Sequence, residues 1–440
     1  MLQNHFKFIL RSFARNKSHT FLNLFGLTSG LIVFIIISLY TNYEFSFDQH
    51  NERLDSIHRV YKADKDNYYK GSNKFAVTPG PLAKALIDEF PEVQTATRIT
   101  SWGNTLIKAN DVVFMEPTIN LSDPATFDIF SFEAVAGELS TFLKEKNEVV
   151  LSESIAIKYF GSTDVLGEVV YFRNKDPMII SGDFKDMPKN SHFVMEVVFN
   201  FDGVMEINNQ NTSRWGNSSY HTFLLLNESA DPESLQEKLP ELRAKYADDP
   251  IVDGGQETEY FLQPMGEVHF TEGILFDIAP SASPQNLYIY LSIAFMVLII
   301  ASINYVNLTT AKAINRTKEI GIKKVVGAQS GSLVFQFLLE SFLIVFVSLL
   351  LSILILLIIL PLFSQFIDRP LSLDFSTPSL WLFLLALSFG LSILAGLYPS
   401  WVLTSFKPVA ALKGKGEIRQ RGGLFRNALV VFQSKLLVIV

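Results

Sequence analysis

Apolar residues gather in four long runs, at roughly 21–42, 287–308, 333–362 and 379–403. Each is long enough to cross a hydrocarbon layer, which takes about 20 helical residues. The third exceeds that length and is expected to tilt or to extend beyond the hydrocarbon. Between the first two runs the pattern changes, and residues 43–285 mix short β-type stretches with short helical ones. Residues 57–63, 112–114, 169–172 and 178–182 read as strands, 193–201 and 221–226 as strongly β-like, and 260–270 as extended. Residues 81–90 read as a helix with Pro81 at its first position and Leu82, Leu86 and Phe90 on one face. Residues 148–160 read as strand then helix stopped by Gly161, and 231–247 as a helix capped by Asp231. Asp183, Lys185 and Asp186 sit in what reads as a solvated turn over 183–191. The pattern predicts an integral membrane α-helical protein of four spans plus a partial fifth. A large α+β extracytoplasmic domain is inserted between spans 1 and 2.

Charge sharpens this into a topology. The net charge of the 440 residues is −7. Residues 43–285 hold 39 acidic and 20 basic residues, a balance of −19, which leaves +12 for the rest of the chain. Two aqueous compartments would impose such a division. Lys7, Arg11, Arg15 and Lys17 precede the first run, and no small-residue cleavage site follows it, so it reads as a retained signal anchor. Five cations lie between runs two and three, and six (Lys407, Lys413, Lys415, Arg419, Arg421, Arg426) follow run four. The positive-inside rule assigns these segments, 1–20, 311–330 and 404–426, to the cytoplasm. The acidic 43–285 block and the loop over 364–377 fall outside. Residues 427–440 are apolar but short and contain Lys435; they read as the start of a truncated fifth span in a longer polypeptide.

The composition also excludes several chemistries. Cysteine is absent, so there is no disulfide, thiolate metal site or cysteine nucleophile. The seven histidines never pair at metal-ligand spacing. His192, His221 and His269 lack a serine in a tight glycine elbow and read as ordinary surface or core histidines. No G-x-x-x-x-G-K-[ST] segment exists to cradle nucleotide phosphates. Nothing suggests nucleic-acid binding.

The most distinctive stretch is 316–328, Arg-Thr-Lys-Glu-Ile-Gly-Ile-Lys-Lys-Val-Val-Gly-Ala. It reads as a compact helix between spans two and three. Lys312, Arg316, Glu319 and Lys323 share one face, with Ile314, Gly321 and Val325 opposite. Glu319 is placed to pair with Arg316 and Lys323, and Gly327 is a helix stop. Taken alone, such a helix suits either a protein partner or anionic lipid. Within the spans, Asn304, Asn307 and Glu340 are the polar residues of note, suited to helix-to-helix hydrogen bonding or to a proton or substrate path.

The order of one span, a large outer domain and three further spans resembles the MacB/FtsX-type permeases of ATP-binding-cassette systems. The outer-domain resemblance rests on residues 81–93 (Pro-Leu-Ala-Lys-Ala-Leu-Ile-Asp-Glu-Phe-Pro-Glu-Val), 150–161 and 186–192. On the membrane side it rests on 303–311, 316–328 and the Gly-Leu-Tyr-Pro-Ser of 396–400 leading to Pro408. The resemblance implies a permease that binds no cofactor, driven by a separate cytoplasmic ATPase that carries ATP and Mg. Residues 311–330 would be the coupling helix, with Arg316, Lys318, Glu319, Gly321, Lys323, Lys324 and Gly327 matching the motif. It also implies a second permease half or a homodimer, a periplasmic adaptor in some systems, and an inner-membrane location. The work driven would be export of a drug, peptide or lipophilic compound, as in antimicrobial efflux. The alternatives are mechanotransmission for lipoprotein release or cell-wall hydrolase control, or, in another class, a membrane-anchored ligand sensor.

Overall fold

The computed structural model describes residues 17–65, 69–246 and 258–404, together with 431 and 433–435. Side chains are described for the same residues except 312–319 and 401–404. The expected linker over 404–426 and the expected fifth span over 427–440 therefore fall almost wholly outside the described residues. The chain divides into two compact units, Met1–Tyr43 with Gln285–Val440, and Glu44–Pro284.

The first unit is built on four helices long and apolar enough to cross a membrane. They are α1 (Lys17–Phe45), α6 (Pro284–Val325), α7 (Ser330–Ile367) and α8 (Pro378–Thr404); the numbers between belong to the inserted domain. Their shared core includes Leu27, Leu31, Ile35, Leu298, Tyr305 and Val345. Apolar packing against lipid gives helices no net drive to associate, so small residues and hydroxyls carry the contacts. A Cβ on Gly30 would lie 2.7 Å from Ala301 Cβ, so α1 and α6 approach backbone to backbone there. The Thr28 carbonyl accepts from Ser352 Oγ at 3.1 Å, and Thr28 Oγ1 donates to the Ser348 carbonyl at 3.3 Å, which ties α1 to α7. Tyr305 OH donates to Ser341 Oγ at 3.0 Å between α6 and α7.

The second unit is a mixed sheet flanked by short helices. Its first seven strands are β1 (Ile57–Asp64), β2 (Lys74–Phe75), β3 (Thr78–Pro79), β4 (Val93–Ala109), β5 (Val112–Ser122), β6 (Ala134–Ala136) and β7 (Glu148–Ser152). The rest are β8 (Val169–Phe172), β9 (Asp176–Phe184), β10 (Val197–Asn200), β11 (Ser218–Leu226), β12 (Thr258–Pro264) and β13 (Ile274–Leu275). Their order is β13-β2-β1-β11-β4-β5-β10-β7-β9-β6, with β12 on β1, β3 on β11, and β8 joining β4 to β9. Helices α2 (Leu82–Glu89), α3 (Glu153–Phe160), α4 (Phe201–Ile207) and α5 (Pro232–Tyr246) cover it. Helix α3 stops at Gly161, whose φ of 74° places it in the left-handed region that glycine enters freely.

Three expectations are corrected here. The 183–191 turn begins too early, because β9 runs through Phe184 and buries Asp183 completely. Asp186 stays in the turn, exposed as expected, where its Oδ1 accepts from Ser154 N at 3.1 Å and Ser154 Oγ at 2.8 Å at the start of α3. Residues 193–201 and 260–270 each form only a short strand followed by helix, at Phe201 and Met265 respectively.

Candidate functional site

Helix α6 does not end where the hydrocarbon would. It is one continuous helix of 42 residues, about 63 Å long at about 1.5 Å per residue, against about 30 Å of hydrocarbon. Pro284–Ala311 forms the span, and residues 312–325 carry the same helix about 20 Å further. The 316–328 segment, expected as a separate compact helix, is thus the rigid extension of span 2.

That extension stops by a Schellman arrangement. Gly327 has φ 101°, Ala328 N donates to the Lys323 carbonyl at 2.9 Å and Gly327 N to the Lys324 carbonyl at 3.1 Å. The turn folds the chain back into α7, and Ile320 packs with Leu333 and Phe337 at its base. Lys323 Nζ lies 3.5 Å from Gln336 Oε1 across the hairpin. One side of the elbow is therefore packed against the start of α7.

Of the residues expected to make partner contacts, Gly321 is buried, so it faces this chain's own fold. Lys323 and Lys324 are half-buried and Gly327 is exposed. Arg316, Lys318 and Glu319 lie on α6, with side chains outside the described residues. Beside Val325 (63% exposed), which the sequence places on the face opposite the charges, the elbow also exposes Ile322 (57%) and Val326 (82%), which the sequence reading did not single out. The sequence signal was present as an apolar residue on each side of Lys323-Lys324, but a helical wheel alone does not say which face is covered.

The intramembrane polar residues are distributed along this same path. Asn304 is half-buried opposite Gly26, where an added Cβ would meet its Nδ2 at 3.4 Å. Asn307 Oδ1 is buried with no hydrogen-bond partner among the described residues, and Glu340 is half-buried on α7. His19 Nε2 lies 3.0 Å from the Leu308 carbonyl, tying the start of α1 to α6.

The inserted domain holds a second concentration of polar groups, which sequence reading missed. Arg59 on β1 is fully buried; its Nη1 donates to Asp277 Oδ2 at 2.6 Å, and its Nη2 to Gln263 Oε1 at 2.7 Å. His192 Nε2 stands 2.7 Å from Asp277 Oδ1. His192 N donates to Asp48 Oδ1 at 2.7 Å, while Asp48 Oδ2 is buried without a partner among the described residues. His269 Nε2 lies 2.5 Å from Glu44 Oε2, and its ring stacks on Phe47 with centroids 3.6 Å apart. Burial pushes the Asp48 carboxyl up. Burial pushes Asp277 up too, but His192 and Arg59 outweigh it and hold Asp277 well below the usual carboxylate range. Burial also lowers His221, whose Nε2 lies 2.9 Å from the Phe276 carbonyl. The network joins residues just after span 1 to residues just before span 2. Among the described residues no trio of His, Asp and Glu is placed to hold a metal ion.

A mixed α/β domain set after the first of four membrane helices, with a rigid extension on the second, defines a multi-pass membrane protein of permease type. Residues 20–242 match the MacB-like periplasmic core domain, and residues 291–408 match the FtsX-like permease C-terminal region. The chain belongs to this family of MacB/FtsX-type ABC transporter permeases. It is 25% identical over 326 residues to the macrolide export ATP-binding/permease protein MacB of Neisseria gonorrhoeae, covering 73% of this chain and 47% of that protein. It is 28% identical over 229 residues to the uncharacterized ABC transporter permease YknZ of Bacillus subtilis, covering 51% and 53%. The chain spans about half the length of the curated relatives it matches and, within MacB, matches only the permease part. A crystal structure of a domain of a putative permease protein from Porphyromonas gingivalis shares 27% identity, with a TM-score of 0.42, covering 54% of this chain and 98% of that one.

Proposed function

We propose that this chain is the permease subunit of an ABC transporter of the inner membrane, with its amino terminus and the α6–α7 elbow in the cytoplasm. A separate ABC ATPase binds ATP and Mg and docks on the elbow. The cations Lys323 and Lys324 with their apolar neighbours Ile322, Val325 and Val326 form the contact, since exposed apolar residues rimmed by charge mark protein interfaces. The observation that carries this reading is the continuity of α6. A push on residues 322–326 moves span 2 as a lever, because no break separates contact from span. Spans 1 and 2 pass the motion to the inserted domain, which performs the extracytoplasmic work, export of a drug, peptide or lipophilic compound. A second permease half or a second copy completes the pair, and a periplasmic adaptor receives the exported compound.

The test is co-purification with an ABC ATPase subunit co-expressed from the same source. Ile322→Asp with Val326→Asp places two carboxylates in the contact and should cut ATPase recovery at least tenfold, while Val112→Asp, at an exposed site on β5 of the inserted domain, leaves it unchanged. Undiminished recovery with the double variant sinks the reading.

A further inference from the structure

In the membrane unit, the end of α1 that precedes Tyr43, the 368–377 loop and the start of α8 enclose a cavity of about 440 Å³. That is within the range of sites that hold small ligands, roughly 300–1,000 Å³. Its lining is mixed. Ser38, Asn42, Ser372, Asp374, Thr377 and Ser379 give it a polar rim, and Leu39, Leu380 and Phe383 an apolar wall. Phe34 backs that wall, stacked on Phe383 with centroids 6.2 Å apart. Beside the mouth, Trp381 Nε1 donates to the Phe375 carbonyl at 3.0 Å. Both rings are partly exposed, as aromatic residues are at a membrane–water boundary. The charge of the rim is one-sided: Asp374 is its carboxylate, and the described lining includes no cation. Ser376 N and Oγ donate to Asp374 Oδ1 at 3.0 and 2.6 Å, and these bonds hold its carboxyl below the usual range and ionised.

We propose that this cavity binds an amphiphile with an amine-bearing head, the ammonium on Asp374 and the apolar portion along Leu380 and Phe383. A carboxylate in a described lining that holds no cation selects a positive head over an anionic one, and the hydroxyls of Ser38, Thr377 and Ser379 accept the remaining ammonium protons. The apolar wall can cover only the first few carbons of a chain, so the head decides selectivity. Two sources supply this chemistry, a bilayer lipid such as phosphatidylethanolamine and a free aliphatic amine. The proposal stands on the membrane unit alone and holds whether or not an ATPase docks at the elbow.

The full chain, purified in detergent and stripped of lipid, is titrated with phosphatidylethanolamine, phosphatidylglycerol and dodecylamine, and bound adducts are counted by native mass spectrometry. Phosphatidylethanolamine should bind more tightly than phosphatidylglycerol, by about threefold, the scale of one solvent-exposed ion pair. Asp374→Asn should erase that ratio, and because the residue is exposed the variant folds. Leu380→Trp should weaken every amphiphile by filling the wall. Displacement of the lipid by dodecylamine assigns the site to amines in general; phosphatidylethanolamine binding without that displacement assigns it to the lipid. Equal binding of the two lipids by the wild type, or an unchanged ratio in Asp374→Asn, overturns the proposal.

Discussion

The two units hold themselves together by opposite means. In the inserted domain the buried polar groups include a connected ionisable set, Arg59, Asp277, His192 and Asp48. In the membrane unit the polar contacts between helices are mostly made by uncharged groups: Thr28 and Ser352 on carbonyls, Tyr305 on Ser341, with Gly30 allowing close approach. The difference follows from the reference state. A buried charge in a water-soluble domain is costly unless paired, so each member of the set depends on the others. A helix already in lipid has all its backbone bonds made, and gains by close approach and a few weak side-chain bonds. One unit should therefore fail sharply when a single group is removed, and the other gradually.

Asp277→Asn should give the largest effect. It leaves Arg59 buried against a neutral partner and should destabilise the inserted domain by about 3–5 kcal/mol, read as a lowered urea midpoint for proteolysis of residues 44–284 in the detergent-solubilised chain. Replacing both members, Arg59→Leu with Asp277→Leu, should recover much of that loss; equal loss in single and double variants would show that the pair is not the cause. Gly30→Leu comes next. The added side chain cannot fit 2.7 Å from Ala301 Cβ without parting α1 and α6, a cost of about 1–3 kcal/mol by overpacking. It should lower the thermal midpoint of the membrane helices and leave proteolysis of the inserted domain unchanged.

The pH response should be confined to a defined window. His50, His58 and His221 are lowered by burial, so they stay neutral in the fold and take up protons on unfolding. Their contribution is intact above about pH 6.5 and declines below it, at up to about 1.4 kcal/mol per group per pH unit. Asp277, held low, adds a second loss only below the ordinary carboxylate range near pH 4. Asp48, raised by burial, acts in the other sense, since its protonation on acidification relieves a buried charge. The urea midpoint of the inserted domain should thus fall between pH 7 and pH 5, with a shallower slope in His221→Gln; a flat profile contradicts this. The smallest effect belongs to Ser352→Ala, which removes one hydroxyl from the Thr28 carbonyl and should cost about 0.6 kcal/mol in the thermal midpoint.

Much of the architecture could be read before any coordinates, because the signals are local. The four spans lie within a few residues of the apolar runs at 21–42, 287–308, 333–362 and 379–403. Gly161 and Gly327 stop helices where a left-handed residue was needed. The long β4–β5 pair was missed because only Val112–Phe114 stood out, and the rest gains its strand character from its neighbours. The buried network was illegible for a stronger reason. Asp277 is recruited from the far end of the domain sequence by Arg59, and Glu44 likewise meets His269, so no spacing rule connects them. At the candidate site, the cations of 316–328 were visible as a charge pattern. The exposure of Ile322 and Val326 beside Val325 was not, since it is set by which side of α6 Ile320 turns toward Leu333 and Phe337.

The central claim is that the end of α6 is the ATPase contact and that its exposed apolar face does the touching. A photo-crosslinking residue placed singly at 326, 322 and 320 in the intact membrane, with the ABC ATPase co-expressed, tests it directly. Positions 326 and 322 should crosslink to the ATPase, and the buried position 320 should crosslink within this chain instead. No ATPase adduct from 326 and 322, or equal adducts from all three positions, would contradict the account.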